Sequence, residues 1–308
     1  MINVTLLGTA ALFPTPERAL TAVSLINDGV SILFDCGEGT QTAARKAGVS
    51  LMKINLLAFT HYHGDHIFGL PGLLQTIARL GRTEPFYITG PETFGESLEP
   101  FLKWLDWLPY EVKFIKIPND GLKLSEIANH QATAARLSCF KTVHRVPSQG
   151  YCFTLERAGK FLPQKAKELG VPINQWKFLQ QGKSLQVGDK IILPEQVLGE
   201  PRKGLKFVFT GDTSPCNSLT AAAENADLMI SEATFGENEQ SPVALKHGHM
   251  TFAQAAETAK NANVKQLWLA HFSHRIENPQ EYLPNATAIF ENTICGNDGM
   301  SINLKFQD

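Results

Sequence analysis

Ile54-Asn-Leu-Leu-Ala-Phe59 runs directly into Thr60-His61-Tyr62-His63-Gly64-Asp65-His66. The first of these runs is apolar but for Asn55 and too short for a core helix, so it reads as a buried strand. The second places three His and one Asp within residues 61–66, at that strand's C-terminal end. Imidazole and carboxylate without thiolate suit zinc or a similar divalent ion, and such a set leaves room for water, as catalytic sites do. Burying these four side chains without a metal would leave several polar groups to satisfy, at about 1–3 kcal/mol each.

The same arrangement recurs on either side. Ser31-Ile-Leu-Phe34 runs into Asp35-Cys-Gly-Glu-Gly39, and Leu205-Lys-Phe-Val-Phe209 into Thr210-Gly-Asp212. Leu228-Met-Ile230 runs into Ser231-Glu232, and Gln266-Leu-Trp-Leu-Ala270 into His271. Each reads as a short buried strand ending in polar residues. Between them lie helical stretches. The clearest runs from Thr251 to about Asn263, where Thr251 and Gln254 form a capping box ahead of Ala255, Ala256, Glu257 and Ala259. Strands alternating with helices give a layered α/β architecture, with functional groups in the crevice outside the strand ends.

At 308 residues, 43% apolar and 19% charged, the chain can bury a large core. No run approaches the roughly 20 apolar residues of a membrane span, and Met1-Ile2-Asn3-Val4 lacks the basic start of a signal peptide, so a cytoplasmic location is expected. Cys36, Cys139, Cys152, Cys216 and Cys295 are odd in number and scattered, without a C-x-x-C pair. That argues against both a disulfide framework and a thiolate zinc site.

The net charge of −2 excludes attraction of a polyanion by the molecule as a whole. It is unevenly spread. Residues 157–206 hold ten Lys or Arg against four acids, a local +6 that leaves −8 on the remainder. Phe161, Trp176 and Phe178 in this segment have two readings: stacking on bases, or forming a small satellite core.

The H-x-H-x-D-H pattern of residues 61–66 is the signature of the metallo-β-lactamase superfamily. The longer string His61-Tyr-His-Gly-Asp-His-Ile-Phe-Gly-Leu-Pro-Gly72 resembles the ribonuclease Z family in particular. The resemblance runs nearly end to end, through Leu7-Gly8-Thr9, Phe34-Asp-Cys-Gly-Glu-Gly-Thr-Gln41, Gly211-Asp-Thr213 with Pro215-Cys216, Glu232-Ala-Thr234 and Ala270-His-Phe-Ser-His-Arg275. It implies an α/β fold of the metallo-β-lactamase type, a four-layer αββα sandwich forming a single domain over residues 1–308. A protruding, basic substrate-binding arm is expected within it at 156–204.

The resemblance also implies a chemistry. Two Zn2+ per subunit, or Mn2+ or Fe2+ in their place, are expected: one on His61, His63, His144 and Asp212, the other on Asp65, His66, Asp212 and His271. Asp212 would bridge them. Such ions activate water and stabilise the attacking and leaving oxygens of an in-line displacement at phosphorus. The family's catalytic residues map to Asp65, which would orient the nucleophile, and to His249 as proton donor, backed by Glu232. His247 is the rival donor, while His130 and His274 have no motif support and Cys216 reads as a small packing thiol.

The expected activity is removal of the 3′ trailer from precursor tRNA by a homodimer. The stretch from Lys165-Ala-Lys-Glu-Leu-Gly-Val-Pro172 through Leu185, with Val197-Leu-Gly-Glu-Pro-Arg-Lys-Gly204 behind it, resembles the family's tRNA-gripping arm and coincides with the +6 segment. An electrostatic grip on RNA backbone follows. Some positions depart from the family pattern. Asn174-Gln175 stand where Gly-Pro is common, and Pro14-Thr-Pro-Glu-Arg-Ala19 keeps Arg18 of a loop associated with the tRNA 3′ end but lacks its Lys and Asn. Ser231 and Met250 replace a His and a Ser. None removes an implied ligand. Two other readings stay open: a hydrolase of a small phosphodiester or other ester, which the altered loop favours and the arm disfavours, and a non-catalytic binding module, which the full ligand set disfavours.

Overall fold

The computed structural model describes all residues except 93, 104, 106, 128–133 and 308, so His130 lies outside the described residues. The first part of the chain forms strands β1 (Ile2–Gly8), β2 (Ala22–Asn27), β3 (Val30–Phe34), β4 (Ile54–Ala58), β5 (Phe86–Thr89) and β6 (Val112–Phe114). The second forms β7 (Leu122–Lys123), β8 (Ala135–Lys141), β9 (Gln149–Arg157), a hairpin of β10 (Leu185–Val187) and β11 (Lys190–Ile192), then β12 (Arg202–Phe209), β13 (Leu228–Glu232), β14 (Leu267–Ala270), β15 (Thr293–Cys295) and β16 (Ser301–Leu304). Two seven-stranded sheets result, ordered β16-β1-β2-β3-β4-β5-β6 and β15-β14-β13-β12-β9-β8-β7.

Alternation along each strand assigns its two faces. In β1, Ile2, Val4 and Leu6 join a core that also receives Phe34 of β3, Phe153 of β9, Phe207 and Phe209 of β12 and Trp268 of β14, so the two sheets pack face to face. The intervening Leu7 and Leu33 turn outward against the helices Thr40–Lys46 and Leu70–Arg79. Val208, Leu267 and Leu269 do the same on the second sheet, against Asn217–Ala223 and Phe252–Asn261. This is the four-layer αββα sandwich that the resemblance implied.

The capping box forms as the sequence predicts: Gln254 N–H donates to Thr251 Oγ1 at 3.2 Å, and Thr251 N–H to Gln254 Oε1 at 3.0 Å. The alternation of strand and helix captures only half of each sheet, however. β3 to β6 and β12 to β15 run parallel, whereas β1, β2 and β3 are joined as antiparallel hairpins, as are β7, β8 and β9. The β2–β3 turn carries Asp28-Gly29, at φ 47° and 80°, the two positive values a tight two-residue hairpin turn requires.

Between β9 and β12 the chain leaves the sandwich and builds a small core of its own from Ala166, Val171, Leu179, Ile192 and Val197, with Phe161 and Trp176 packed against it at 5.1 Å between ring centroids. Those two aromatics are therefore satellite core. Phe178 is 46% exposed and is not.

Candidate metal centre

Strand ends deliver most of the site. Asp35 follows β3, Thr60-His61 lie just beyond β4, Gly211-Asp212 just beyond β12, Glu232 is the last residue of β13, and His271 follows β14. Asp35 and His271 adopt left-handed backbone at φ 55° and 56°, a conformation that costs of order 1–3 kcal/mol at a non-glycine residue and persists where the surroundings fix it. Gly211, at φ 58°, lets β12 approach β4: a Cβ there would lie 2.6 Å from the Thr60 Cβ. His144 comes from the loop between β8 and β9. His249 follows the helix Ser241–His247 through Gly248, at φ 77°.

The tautomer of each imidazole follows from its partner. Thr60 Oγ1 donates its single proton to Asp35 Oδ2 at 2.8 Å, so it accepts from His61 Nδ1–H at 3.0 Å. His66 Nδ1–H donates to the same Asp35 oxygen at 2.8 Å. His144 Nδ1–H donates to the carbonyl of Gly248 at 2.8 Å. Thr234 Oγ1 donates to Glu232 Oε2 at 2.7 Å and hence accepts from His271 Nδ1–H at 3.0 Å. In all four rings the proton is drawn to Nδ1, and the Nε2 lone pair faces inward.

Those lone pairs converge in two groups. His61 Nε2 and His144 Nε2 stand 3.0 and 3.2 Å from His63 Nδ1, and 3.6 and 4.0 Å from Asp212 Oδ2. On the other side of the same carboxylate, Asp212 Oδ1 lies 3.5 Å from His66 Nε2 and 3.3 Å from His271 Nε2, while Asp65 Oδ2 lies 3.6 and 3.5 Å from those nitrogens. A proton on His63 Nδ1 can serve only one of His61 and His144, so lone pairs are left facing one another, and they repel unless a cation lies between them. Asp212 Oδ1 is moreover a buried oxygen with no hydrogen-bond donor, an expensive state for a carboxylate without a positive partner.

Electrostatics agree. Burial would push the Asp212 carboxyl up, but the His271, His66 and His61 imidazoles outweigh it and hold Asp212 well below the usual carboxylate range. Burial, and then the neighbouring His66 charge, keep His61 well below the usual imidazole range, which leaves its Nε2 bare. Burial would lower His66 too, but the Asp212, Asp35 and Asp65 carboxylates raise it well above that range, and the positive charge they draw onto it is the one a metal ion would replace. The donor set thus fits divalent cations.

Beside this centre stands a second device. Glu232 is 2% exposed. Its Oε1 receives Thr213 N–H at 2.8 Å and His249 Nδ1–H at 2.9 Å, and its Oε2 receives Thr234 Oγ1–H and Met250 N–H at 2.7 and 3.1 Å. Burial alone would lower the His249 pKa, yet the charge and hydrogen bond of Glu232, with Asp212 beyond, raise it to about 9. With Nδ1 engaged, His249 presents Nε2 to a cleft of about 770 Å3 that is also lined by His63, Asp65, His144, Asp212 and His271.

All nine residues singled out in the sequence come together here. His247 lines the cleft, but Glu232 pairs with His249 instead; Cys216 is half-buried and its Sγ faces Ser218 Oγ at 3.3 Å. Sequence reasoning missed Asp35, Thr60 and Thr234, which orient the imidazoles, although each sits next to or near a strand end. It also missed the Leu12 N–H, which donates to Asp65 Oδ2 at 2.8 Å. Arg18 does not face the cleft freely: its guanidinium donates to the carbonyls of Ile276 and Glu277 and lies over the Phe272 ring.

Comparison with known proteins agrees with this geometry. The model of the metallo-β-lactamase superfamily matches residues 18–129, and that of the β-lactamase superfamily domain matches residues 197–272. The chain is 41% identical to ribonuclease Z of Lachnospira eligens over 308 residues, covering 100% of this chain and 99% of that one. It is 40% identical to ribonuclease Z of Clostridioides difficile, covering 100% of both. Among solved structures, the short form of human tRNase Z superposes with a TM-score of 0.67 at 27% identity, over 99% of this chain and 100% of that one. A metallo-β-lactamase fold protein from Bacillus subtilis gives 0.68 at 22% identity, over 98% of both chains, a likeness of fold. Identity of this extent along the whole chain, on a centre built from the superfamily's ligand types, leads to one assignment: the chain belongs to the ribonuclease Z family of the metallo-β-lactamase superfamily.

Proposed function

We propose that this protein is a metal-dependent endoribonuclease that removes the 3′ trailer of precursor tRNA, with two Zn2+ per subunit, acting as a cytoplasmic homodimer. The observation that carries the reading is the Glu232–His249 pair, 2.9 Å apart, set beside two converging ligand groups with the Asp212 carboxylate between them, one oxygen 3.6 and 4.0 Å from His61 and His144 and the other 3.5 and 3.3 Å from His66 and His271. A purely structural metal site has no use for a half-buried, carboxylate-supported imidazole aimed at its cleft. Full-length identity to proteins named ribonuclease Z supplies the substrate class.

His61, His63, His144 and Asp212 would hold one ion, and Asp65, His66, His271 and Asp212 the other. When bound, such ions act as Lewis acids on a phosphoryl oxygen and acidify water. The protein's own groups do the remainder. Asp65, fixed by the Leu12 N–H, orients the attacking water and receives its hydrogen bond. As the new oxygen–phosphorus bond forms and the ester bond breaks, His249 delivers its Nε2 proton to the departing oxygen. Glu232 holds the charged imidazole in place, and the donors on its carboxylate keep Glu232 itself from turning.

Residues 156–204 are proposed as an inserted arm that grips the RNA away from the reacting phosphodiester. The local charge of +6, the separate small core and the exposed Ile173, Phe178 and Ile191 support this. The test is incubation of the purified protein with a precursor tRNA bearing a 3′ trailer and with a small chromogenic phosphodiester, with added zinc and with chelator. Zinc-dependent cutting of the precursor supports the reading. Turnover of the small diester alone would assign the chain to small-molecule hydrolysis.

A further inference from the structure

The floor of the cleft is polar, but its rim carries an aromatic ring in water. Phe13 is 50% exposed, and its ring packs on that of His274 at 4.5 Å between centroids, tilted by 32°. Half-exposing a phenylalanine forgoes apolar burial, and here the backbone holds the ring in that position. Leu12, immediately before it, is left-handed at φ 67° and is tied to Asp65 by its N–H. Ala11 N–H donates to the Phe272 carbonyl at 3.0 Å, and Phe13 N–H to the Ala11 carbonyl at 2.8 Å. Arg18 closes the far side of the loop onto Ile276.

The supporting ring has the character of a packing surface. His274 Nδ1 is buried and makes no hydrogen bond, so the imidazole is placed by its contact with Phe13. Both rings are tethered to the metal centre by short stretches of chain. Phe13 directly follows Leu12, whose N–H binds Asp65, and His274 lies three positions after His271. At about 3.3–3.6 Å per residue, either tether is no longer than a nucleotide or two. Arg145 and Arg275, both exposed, line the same cleft and offer cations to phosphates; Glu38 and Glu237 line it too and restrict where an anion can lie.

We infer that Phe13, backed by His274, is a nucleobase platform that stacks on the base of a nucleotide adjoining the scissile phosphodiester. The inference rests on the endonuclease reading above and adds to it the subsite that holds the substrate next to the chemistry. A phenyl face offers no hydrogen bonds, so it accepts any of the four bases. It thereby selects for a nucleotide at that position and leaves sequence unread. Stacking on an aromatic side chain is the common way of seizing an unpaired RNA base.

The experiment compares zinc-loaded wild type, Phe13→Ala and Phe13→Tyr on two precursor tRNAs, one intact and one carrying abasic nucleotides on both sides of the cleavage site. Phe13→Ala is expected to raise KM on the intact substrate by about 5- to 150-fold, the range for losing one base–aromatic stack. Phe13→Tyr restores it, and on the abasic substrate wild type and Phe13→Ala differ by less than about twofold. Equal losses on both substrates would overturn the proposal, because the ring would then serve only the fold of the loop. A loss that tracks dissociation of the protein in sedimentation would overturn it in favour of a second copy covering Phe13. If wild type leaves the intact precursor uncut, the endonuclease reading falls and this inference with it; a precursor cut with equal losses removes this inference alone.

Discussion

Asp35 Oδ2 lies 2.8 Å from His66 Nδ1, and neither side chain has any solvent exposure. The same carboxylate takes the N–H and Oγ1–H of Thr60, and Thr60 in turn orients His61. One buried acid thus sets a ligand in each of the two groups. Removing such an outer partner weakens metal binding by about 10- to 100-fold. Asp35→Asn is therefore expected to lower zinc affinity within that range, read by competition with a chromogenic chelator. Unchanged affinity would mean that the rings are placed without it.

The Glu232–His249 pair predicts a different signature. His249→Ala should cut kcat on precursor tRNA by about 10²- to 10⁴-fold, the usual share of a positioned proton donor, with zinc content unchanged. Glu232→Gln removes the charge that holds the imidazolium protonated. With the raising influence gone, His249 loses its proton at lower pH, and the alkaline limb of the kcat profile moves down. An unmoved limb would detach His249 from the proton transfer.

Gly211 joins strand geometry to the ligands. At φ 58°, with Thr60 side-chain atoms 2.6 to 2.9 Å from any added Cβ, alanine there is strained by both backbone and packing. Gly211→Ala should cost about 1–3 kcal/mol and lower the melting temperature by several degrees, measured by circular dichroism. A variant that melts with wild type would show that β4 and β12 can separate without penalty.

Salt should distinguish the arm's substrate from small ones. The +6 of residues 157–206 acts on RNA phosphates through counterion release, so KM for precursor tRNA should climb steeply between about 50 and 200 mM salt. KM for a small phosphodiester has no such array of contacts to lose. Parallel salt dependences would place the grip elsewhere than in the basic segment.

The legible parts were those written locally. His61, His63, Asp65 and His66 declare a metal because four potential ligands crowd one strand end, and Thr251-Phe-Ala-Gln254 declares a helix start because both halves of the cap lie within one turn. His144, Asp212 and His271 are single residues far apart in the chain. Only resemblance linked them, since the approach of β4 to β12 and β14 leaves no local mark. Asp35, Thr60 and Thr234 were opaque for the same reason: each acts through a ring brought to it by the fold. The hairpins β2–β3 and β8–β9 escaped the reading of strand alternating with helix, although Asp28-Gly29 carries a turn signal. Phe161 and Trp176 looked as fit for stacking on bases as for packing. Their burial against Ala166 and Leu179 resolves that.

The most direct test of the central claim is the position of the cut. Zinc-loaded protein is incubated with a precursor tRNA carrying a 3′ trailer, and the new 3′ end is sequenced, alongside a reaction containing chelator and one with a variant lacking residues 160–185. The account predicts a single cut next to the acceptor stem that disappears with chelator and is lost on deletion of the arm, while a small phosphodiester is still hydrolysed by the deleted protein. An intact precursor, with the small diester turned over equally with or without residues 160–185, would contradict it.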